Sequence, residues 1–260
     1  MGSGVARPRR KGIDSPLPPL PAVSPDGAVA IGHPIPANYA LPDGSVRDRV
    51  RRSVMDRQLA AIKETLNGSA VSFAAAYLRR SAAILQAIDA DELAEVIALL
   101  EAARAGRRQV FICGNGGSAA TASHFAAGLG KEGSAERTDR FRALALTDNI
   151  AWLTSLANDT DYTRVFVEQL KNHAEPDDVL VAFSGSGNSH NVLRAVEWAN
   201  ARGLVTIGIT GQSGGELGTL ARYRISVGTD HMGHIEEGHF LVQHLITYYF
   251  MEARPDAAGR

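Results

Sequence analysis

The sequence predicts an α/β fold: a doubly wound, five-stranded parallel sheet with N-terminal helices. Two observations and one general rule predict it. Beyond Gly106, five short apolar runs alternate with helix-patterned segments, the rhythm of a parallel sheet covered on both faces. Right-handed crossovers turn that rhythm into a doubly wound sheet. And two of the strand ends carry Gly- and Ser-rich loops, at the edge where open α/β sheets bind ligands.

The elements follow in order. Nine of the eleven prolines lie in the first 42 residues. Proline removes N–H donors and fixes φ, so residues 1–45 read as a Pro-rich extended or disordered tail or linker. The domain is expected over 46–254, with 255–260 a short tail. Val50, Val54, Leu59, Ile62 and Leu66 predict a first helix ending near Asn67-Gly68, and Phe73, Tyr77, Ile84 and Ile88 a second. These apolar positions suit bundle packing beside the sheet. Asp89 followed by Glu92 reads as an N-cap and N3 pair opening a third helix to Gly106. The strands are expected at 110–113, 143–146, 179–183, 205–209 and 223–227. Helices are expected at 150–157, 161–172, 189–201, 216–221 and 235–252, with an Ala-rich one after the first strand.

Composition excludes several classes. A net charge of −1 leaves no global electrostatic footprint for nucleic acid. One cysteine, Cys113, excludes an intramolecular disulfide framework and a Cys-rich zinc module. No apolar run reaches the roughly 18 residues of a membrane span, and no signal-peptide core is seen, so a soluble cytoplasmic protein is expected.

The first loop, Gly114-Asn115-Gly116-Gly117-Ser118, joins a strand to a helix. Its glycines let backbone approach a ligand, and the helix start offers free N–H groups to an anion. It is neither G-x-G-x-x-G nor a P-loop, since Ala119 stands at the third glycine and no G-K-[ST] follows. The second, Ser184-Gly185-Ser186-Gly187-Asn188-Ser189, can wrap a phosphate by hydroxyls and backbone N–H groups. It contains no lysine or arginine, so neutral donors and the helix dipole would do the binding.

These two loops, with His124-Phe125-Ala126, Leu146-Thr147-Asp148, Asn158-Asp159 and Thr210-Gly211-x-x-Gly214-Gly215, resemble the sugar isomerase (SIS) family over roughly residues 50–250. They are most similar to its sedoheptulose-7-phosphate (phosphoheptose) isomerase group. The resemblance implies aldose–ketose isomerisation of a seven- or eight-carbon sugar phosphate through an enediol, in a homotetramer with sites between subunits. It implies that Ser118, Ser184, Ser186 and Ser189 hold the phosphate, with Gly116, Gly117 and Asn188 completing the two loops. Asn115 and Asp148 would contact sugar hydroxyls. His124 would ligate zinc, and the last helix would bring Glu236 and the catalytic His244.

The chain departs from that group's pattern at two positions. The carboxylate expected four residues after the first histidine, on the same helix face, is Gly128 here. Glu132 is the next acid along, and Glu236 occupies the position of the group's glutamine ligand. Three chemistries remain open. His124, Glu236 and His244 bind Zn²⁺ with an open position, a usual set for catalytic zinc. Alternatively, His244 and Glu236 act as an acid/base pair without metal. Or the site binds without turnover, as in a non-catalytic SIS-domain sugar-phosphate-binding or partner-binding regulator. His231 and His234 read as solvated loop residues, and His239 as a core or interface histidine. Tyr162 and Phe166 are candidates to line the pocket.

Overall fold

The computed structural model describes residues 69–252. The Pro-rich tail, the helix expected over 50–66, the domain boundary near 45 and residues 255–260 lie outside the described residues.

The five strands are β1 (Gln109–Cys113), β2 (Arg142–Ala145), β3 (Val179–Ser184), β4 (Val205–Gly211) and β5 (Tyr223–Val227). All pair in parallel, in the order β2-β1-β3-β4-β5. The helices are α1 (69–86), α2 (Ala90–Ala105), α3 (Gly117–Gly130), α4 (Ile150–Asp159), α5 (Val167–His173), α6 (His190–Ala201), α7 (Leu217–Leu220) and α8 (Met232–Glu252). A 3₁₀ turn at Tyr162–Arg164 precedes α5, so the single helix expected over 161–172 is two pieces.

The sheet is buried on both faces by period-2 alternation. Val110, Ile112, Val181 and Phe183 face one core with α2, α3 and α8. Phe111, Cys113, Leu180 and Ala182 face the other, with α6 and the segment around α5. Cys113 is packing: burial pushes its thiol pKa up to about 12. Strand β2 differs from expectation. It is an edge, and Leu144 of its apolar run is exposed.

Local capping decides where the helices begin. The Asp89 carboxylate accepts from the N–H groups of Asp91 and Glu92, which starts α2. Glu92 does not turn back on the cap. Its side chain accepts from the Ser226 N–H at 3.3 Å and pairs with Arg224 at 3.6 Å, tying α2 to β5. Helix α8 begins at Met232, three residues before its expected start, so His234 is helical. It is buried, not solvated, and stacks on Tyr77 of α1 at 4.2 Å between ring centroids. Ser81 joins them, donating to Glu237 at 2.8 Å and lying 3.1 Å from His234 Nδ1. This polar clamp fixes α1 on the start of α8. Phe73, one residue of the expected bundle stripe, is exposed. Among the described residues no helix is long and apolar enough to cross a membrane.

Candidate functional site

Strand order reverses between β1 and β3: the chain runs outward to β2 on one side and through β4 to β5 on the other. Such a switch point opens a crevice at the carboxyl ends of the two strands. The two anion-ready loops are the continuations of these neighbouring strands.

In the second loop, Ser184 Oγ accepts from the Gly187 N–H at 3.1 Å and donates to Ser189 Oγ at 3.3 Å. Ser189 is the N-cap of α6 but makes no side-chain cap. Its hydroxyl thus points along the loop, leaving the helix start open to an anion. Ser186 Oγ accepts from the Asn188 N–H at 3.2 Å. Asn188 itself is turned sideways, its Oδ1 accepting from the Glu216 N–H at 2.9 Å. Gly187 has φ +70°, and a Cβ there would fall 2.6 Å from the carbonyl carbon of Gly214. Only glycine lets the loop pass so close to the 214–215 turn.

In the first loop, Gly116 has φ +55° and no side chain caps α3. Ser118 is buried against Gly114, where a Cβ would come 2.8 Å from Ser118 Cβ. The Glu236 carboxylate lies over Gly117 on the first turn of α3, its Oε2 2.8 Å from where a Cβ would stand. The positive end of the helix attracts that carboxylate. A phosphate placed there would meet a like charge, which favours the Ser184–Ser189 loop as the phosphate seat. Asp148, exposed beyond β2, accepts from Ser123 of α3, which also lies 3.0 Å from Thr147 Oγ1.

Two turns along α3 from Gly117, roughly 10 Å, His124 meets His244. Their Nε2 atoms are 3.3 Å apart and the ring centroids 4.9 Å. Phe240 packs edge-on against both rings. Two imidazole nitrogens this close hold either a shared proton or a cation between them. The separation is also the edge, about 3.3 Å, of a tetrahedron with Zn–N bonds of 2.0–2.1 Å. His124 and His244 therefore fit as two ligands of one ion. Glu236 stands apart from them, over Gly117, and among the described residues no three His, Cys, Asp or Glu side chains are grouped to hold a metal.

The glycine four residues after His124 also has a structural reason. A Cβ at Gly128 would lie 2.8 Å from Thr247 Oγ1 and 3.0 Å from its Cγ2. Thr247 fills the space that any side chain at 128 would need, so no carboxylate starts there. Glu132 lies in the turn after α3, where its neighbour Lys131, 3.1 Å away, holds its pKa below the usual range, with the charge of His124 a minor contributor.

Three side chains of α8 were not legible as a group in the sequence. His239, Gln243 and Thr247, spaced by four, form one buried face, and their side-chain polar atoms lack hydrogen-bond partners. His239 packs on Phe183 at 5.5 Å. Burial pushes its pKa down to about 4, with the Thr210 backbone opposing. The folded state thus refuses a proton that the unfolded chain accepts below about pH 6.5, and stability falls as pH drops through that window toward 4. Between pH 7 and pH 5 the expected loss from this group is ~2 kcal/mol. Urea unfolding of the wild type and His239→Phe at both pH values checks it: the variant's stability should change less. Equal changes in the two proteins would remove His239 from the account.

Phe166, expected as a pocket candidate, is instead core. Tyr162 is exposed, and its hydroxyl reaches Asn115 across the crevice at 3.0 Å.

A family model described as SIS domain matches residues 76–211. The phosphoheptose isomerase of Mycobacterium bovis (strain BCG / Pasteur 1173P2) is 44% identical over 155 residues, 60% of this chain and 78% of that protein. The structure of a phosphoheptose isomerase from Neisseria gonorrhoeae superposes with a TM-score of 0.64 at 30% identity, covering 70% of this chain and 97% of that one. The structure of a phosphoheptose isomerase from Francisella tularensis gives 0.64 at 26% identity, covering 71% and 98%.

Proposed function

We propose, from the premise that this chain belongs to the SIS-domain family, that it interconverts the aldose and ketose forms of a heptose phosphate through an enediol. One observation carries the proposal. A phosphate loop built from neutral donors follows β3, and His124, on the helix that follows the neighbouring β1, faces His244 of α8. Relatives at 38–44% identity that bear the name phosphoheptose isomerase support it.

The reaction moves one proton between neighbouring carbons. A base takes the C1 proton of the ketose while the C2 carbonyl oxygen gains a proton to give the enediol, and reprotonation at C2 with loss of the O1 proton gives the aldose. Nothing is oxidised or reduced overall, so the protein needs to hold the chain and carry protons. Ser184, Ser186 and Ser189 anchor the phosphate with hydroxyls and the α6 N-terminus. His244, partnered by His124, moves the proton at Nε2. Glu236, at the other end of the α3–α8 seam, is the second acid/base group we assign. With Gly128 blocked by Thr247, the base does not come from that position.

Zinc is the other reading the pair supports, exclusive of proton transfer at those nitrogens: the Nε2 atoms of His124 and His244 would hold it, and when bound it would polarise a sugar oxygen while Glu236 carries the proton. Zinc content of the purified protein, before and after His124→Ala, tests this independently of turnover. We propose a homotetramer with sites between subunits, supported by the exposed Phe240, Leu241, Leu245, Tyr248 and Tyr249 along the outer face of α8. The cytoplasm, where sugar phosphates are made and consumed, is the proposed location. Against a purely binding role stands the preserved histidine pair, which a phosphate-binding regulator does not need.

Incubating the protein with sedoheptulose 7-phosphate, with and without added zinc, and following aldose formation tests the activity. Conversion at enzymatic rates is expected. Phosphate binding without conversion of any heptose phosphate would return the chain to the regulator reading.

A further inference from the structure

Asn115 stands partly exposed at the carboxyl end of β1, and its carboxamide is held from two other elements. Asn191, on the first turn of α6 and buried, faces it amide to amide. Asn115 Nδ2 donates to Asn191 Oδ1 at 2.8 Å, and Asn191 Nδ2 donates back to Asn115 Oδ1 at 2.8 Å. The Tyr162 hydroxyl, from the 3₁₀ turn, donates to the same Asn115 Oδ1 at 3.0 Å.

Backbone fixes the direction of this chain of bonds. The Val192 N–H is shared between the Ser189 carbonyl at 2.9 Å and Asn191 Oδ1 at 3.0 Å, and an amide –NH₂ turned toward it would set donor against donor. With Asn191 so oriented, a flipped Asn115 would set donor against donor and acceptor against acceptor. Asn115 Oδ1 therefore faces Asn191 Nδ2, and Tyr162 has to be the donor. Both lone pairs of Asn115 Oδ1 are consumed, while one of its two Nδ2–H groups is left over.

We infer that Asn191 and Tyr162 are positioning residues that make Asn115 a one-way donor to the carbonyl oxygen of the open-chain sugar. The inference rests on the isomerase reading above and deepens it. A sugar hydroxyl can donate or accept, but Asn115 can receive nothing. The carbonyl is the sugar oxygen that has only lone pairs to offer, so it is the group this site selects. An N–H held on that oxygen also stabilises the negative charge it gains as the enediol forms, and a pre-oriented donor does so without reorganising. The resemblance assigned Asn115 to sugar hydroxyls; the hydrogen-bond count assigns it to the carbonyl.

A double-mutant cycle on the full-length protein tests this, with sedoheptulose 7-phosphate as substrate and inorganic phosphate as competing ligand. Tyr162 is exposed, so Tyr162→Phe should fold normally. It is expected to lower kcat/KM by about ten-fold, mainly through kcat, since one hydrogen bond that fixes the donor is lost. Inhibition by inorganic phosphate should not change. In an Asn115→Ala background the same substitution should change kcat/KM by less than about two-fold, because the residue it positions is gone. An equal fall in both backgrounds, or none in the wild-type background, overturns the inference. Asn191→Ala should reproduce the Tyr162→Phe pattern with a larger fall; if it fails to fold, the tyrosine arm alone decides. A wild-type protein inert toward the sugar would overturn the isomerase reading instead. The cycle is then read as calorimetric affinity for sedoheptulose 7-phosphate, and absence of coupling there overturns the role given to Tyr162.

Discussion

Replacing His244 with alanine lowers kcat on a heptose phosphate by roughly 10²–10⁴, the usual worth of a positioned acid/base group. His124→Ala produces a comparable fall, and the double variant falls little further. The reason is geometric. The two Nε2 atoms face each other at 3.3 Å, so each imidazole holds the orientation of the other, and either loss dismantles the unit. Residues that act as a unit are non-additive. The hydrogen-bonded frame of the Ser184–Ser189 loop is built from its own residues, without either histidine, so inorganic phosphate should bind all three variants as it binds the wild type. Steady-state kinetics with phosphate inhibition constants give both readouts at once. Additive losses would show two independent roles, and undiminished turnover would remove the pair from catalysis.

Gly187→Ala is expected to be the most damaging single-methyl change in the phosphate loop. The residue has φ +70°, costly for any side chain, and the added Cβ would strike the Gly214 carbonyl and lie 2.9 Å from Gly215 Cα. Backbone meets backbone there, so no side chain can swing away to relieve it. Loss of about 3 kcal/mol of stability is expected, from strain and steric displacement together. Phosphate affinity should fall by at least about ten-fold, because the displaced loop carries the Gly187 N–H that orients Ser184. Gly218→Ala is the matched control. Its Cβ would enter open space, and the change should stay within about 1 kcal/mol. Urea unfolding and calorimetry with inorganic phosphate separate the two effects. A stable Gly187→Ala that still binds phosphate would show that the 214–215 turn yields easily.

The α/β rhythm was legible because burial on both faces of a sheet writes itself as short apolar runs: Val110–Cys113 and Val179–Phe183 appear as strands where the runs predict them. The two loops were legible because tight backbone approach demands glycine and neutral anion binding demands hydroxyls. The edge position of β2 was not legible. Ala143-Leu144-Ala145-Leu146 has the composition of a buried strand, and only the strand order leaves Leu144 exposed. His234 read as loop because Gly228, Gly233 and the histidines around them carry no apolar period. Packing of Tyr77 and Ser81 onto it extends α8 over that segment.

The sequence by itself determined the parallel sheet, the two loops and the family to which they belong, since each depends on residue type at short spacing. Tertiary structure decided which side chains meet. It brought His124 to His244 across 120 positions of chain, set Glu236 over Gly117 instead of beside them, filled the room at Gly128 with Thr247, and locked Asn115 between Asn191 and Tyr162. Such pairings are fixed by how α3, α6 and α8 pack on the sheet. Local spacing within any one helix specifies a face, but the partner on that face is chosen by the three-dimensional fold.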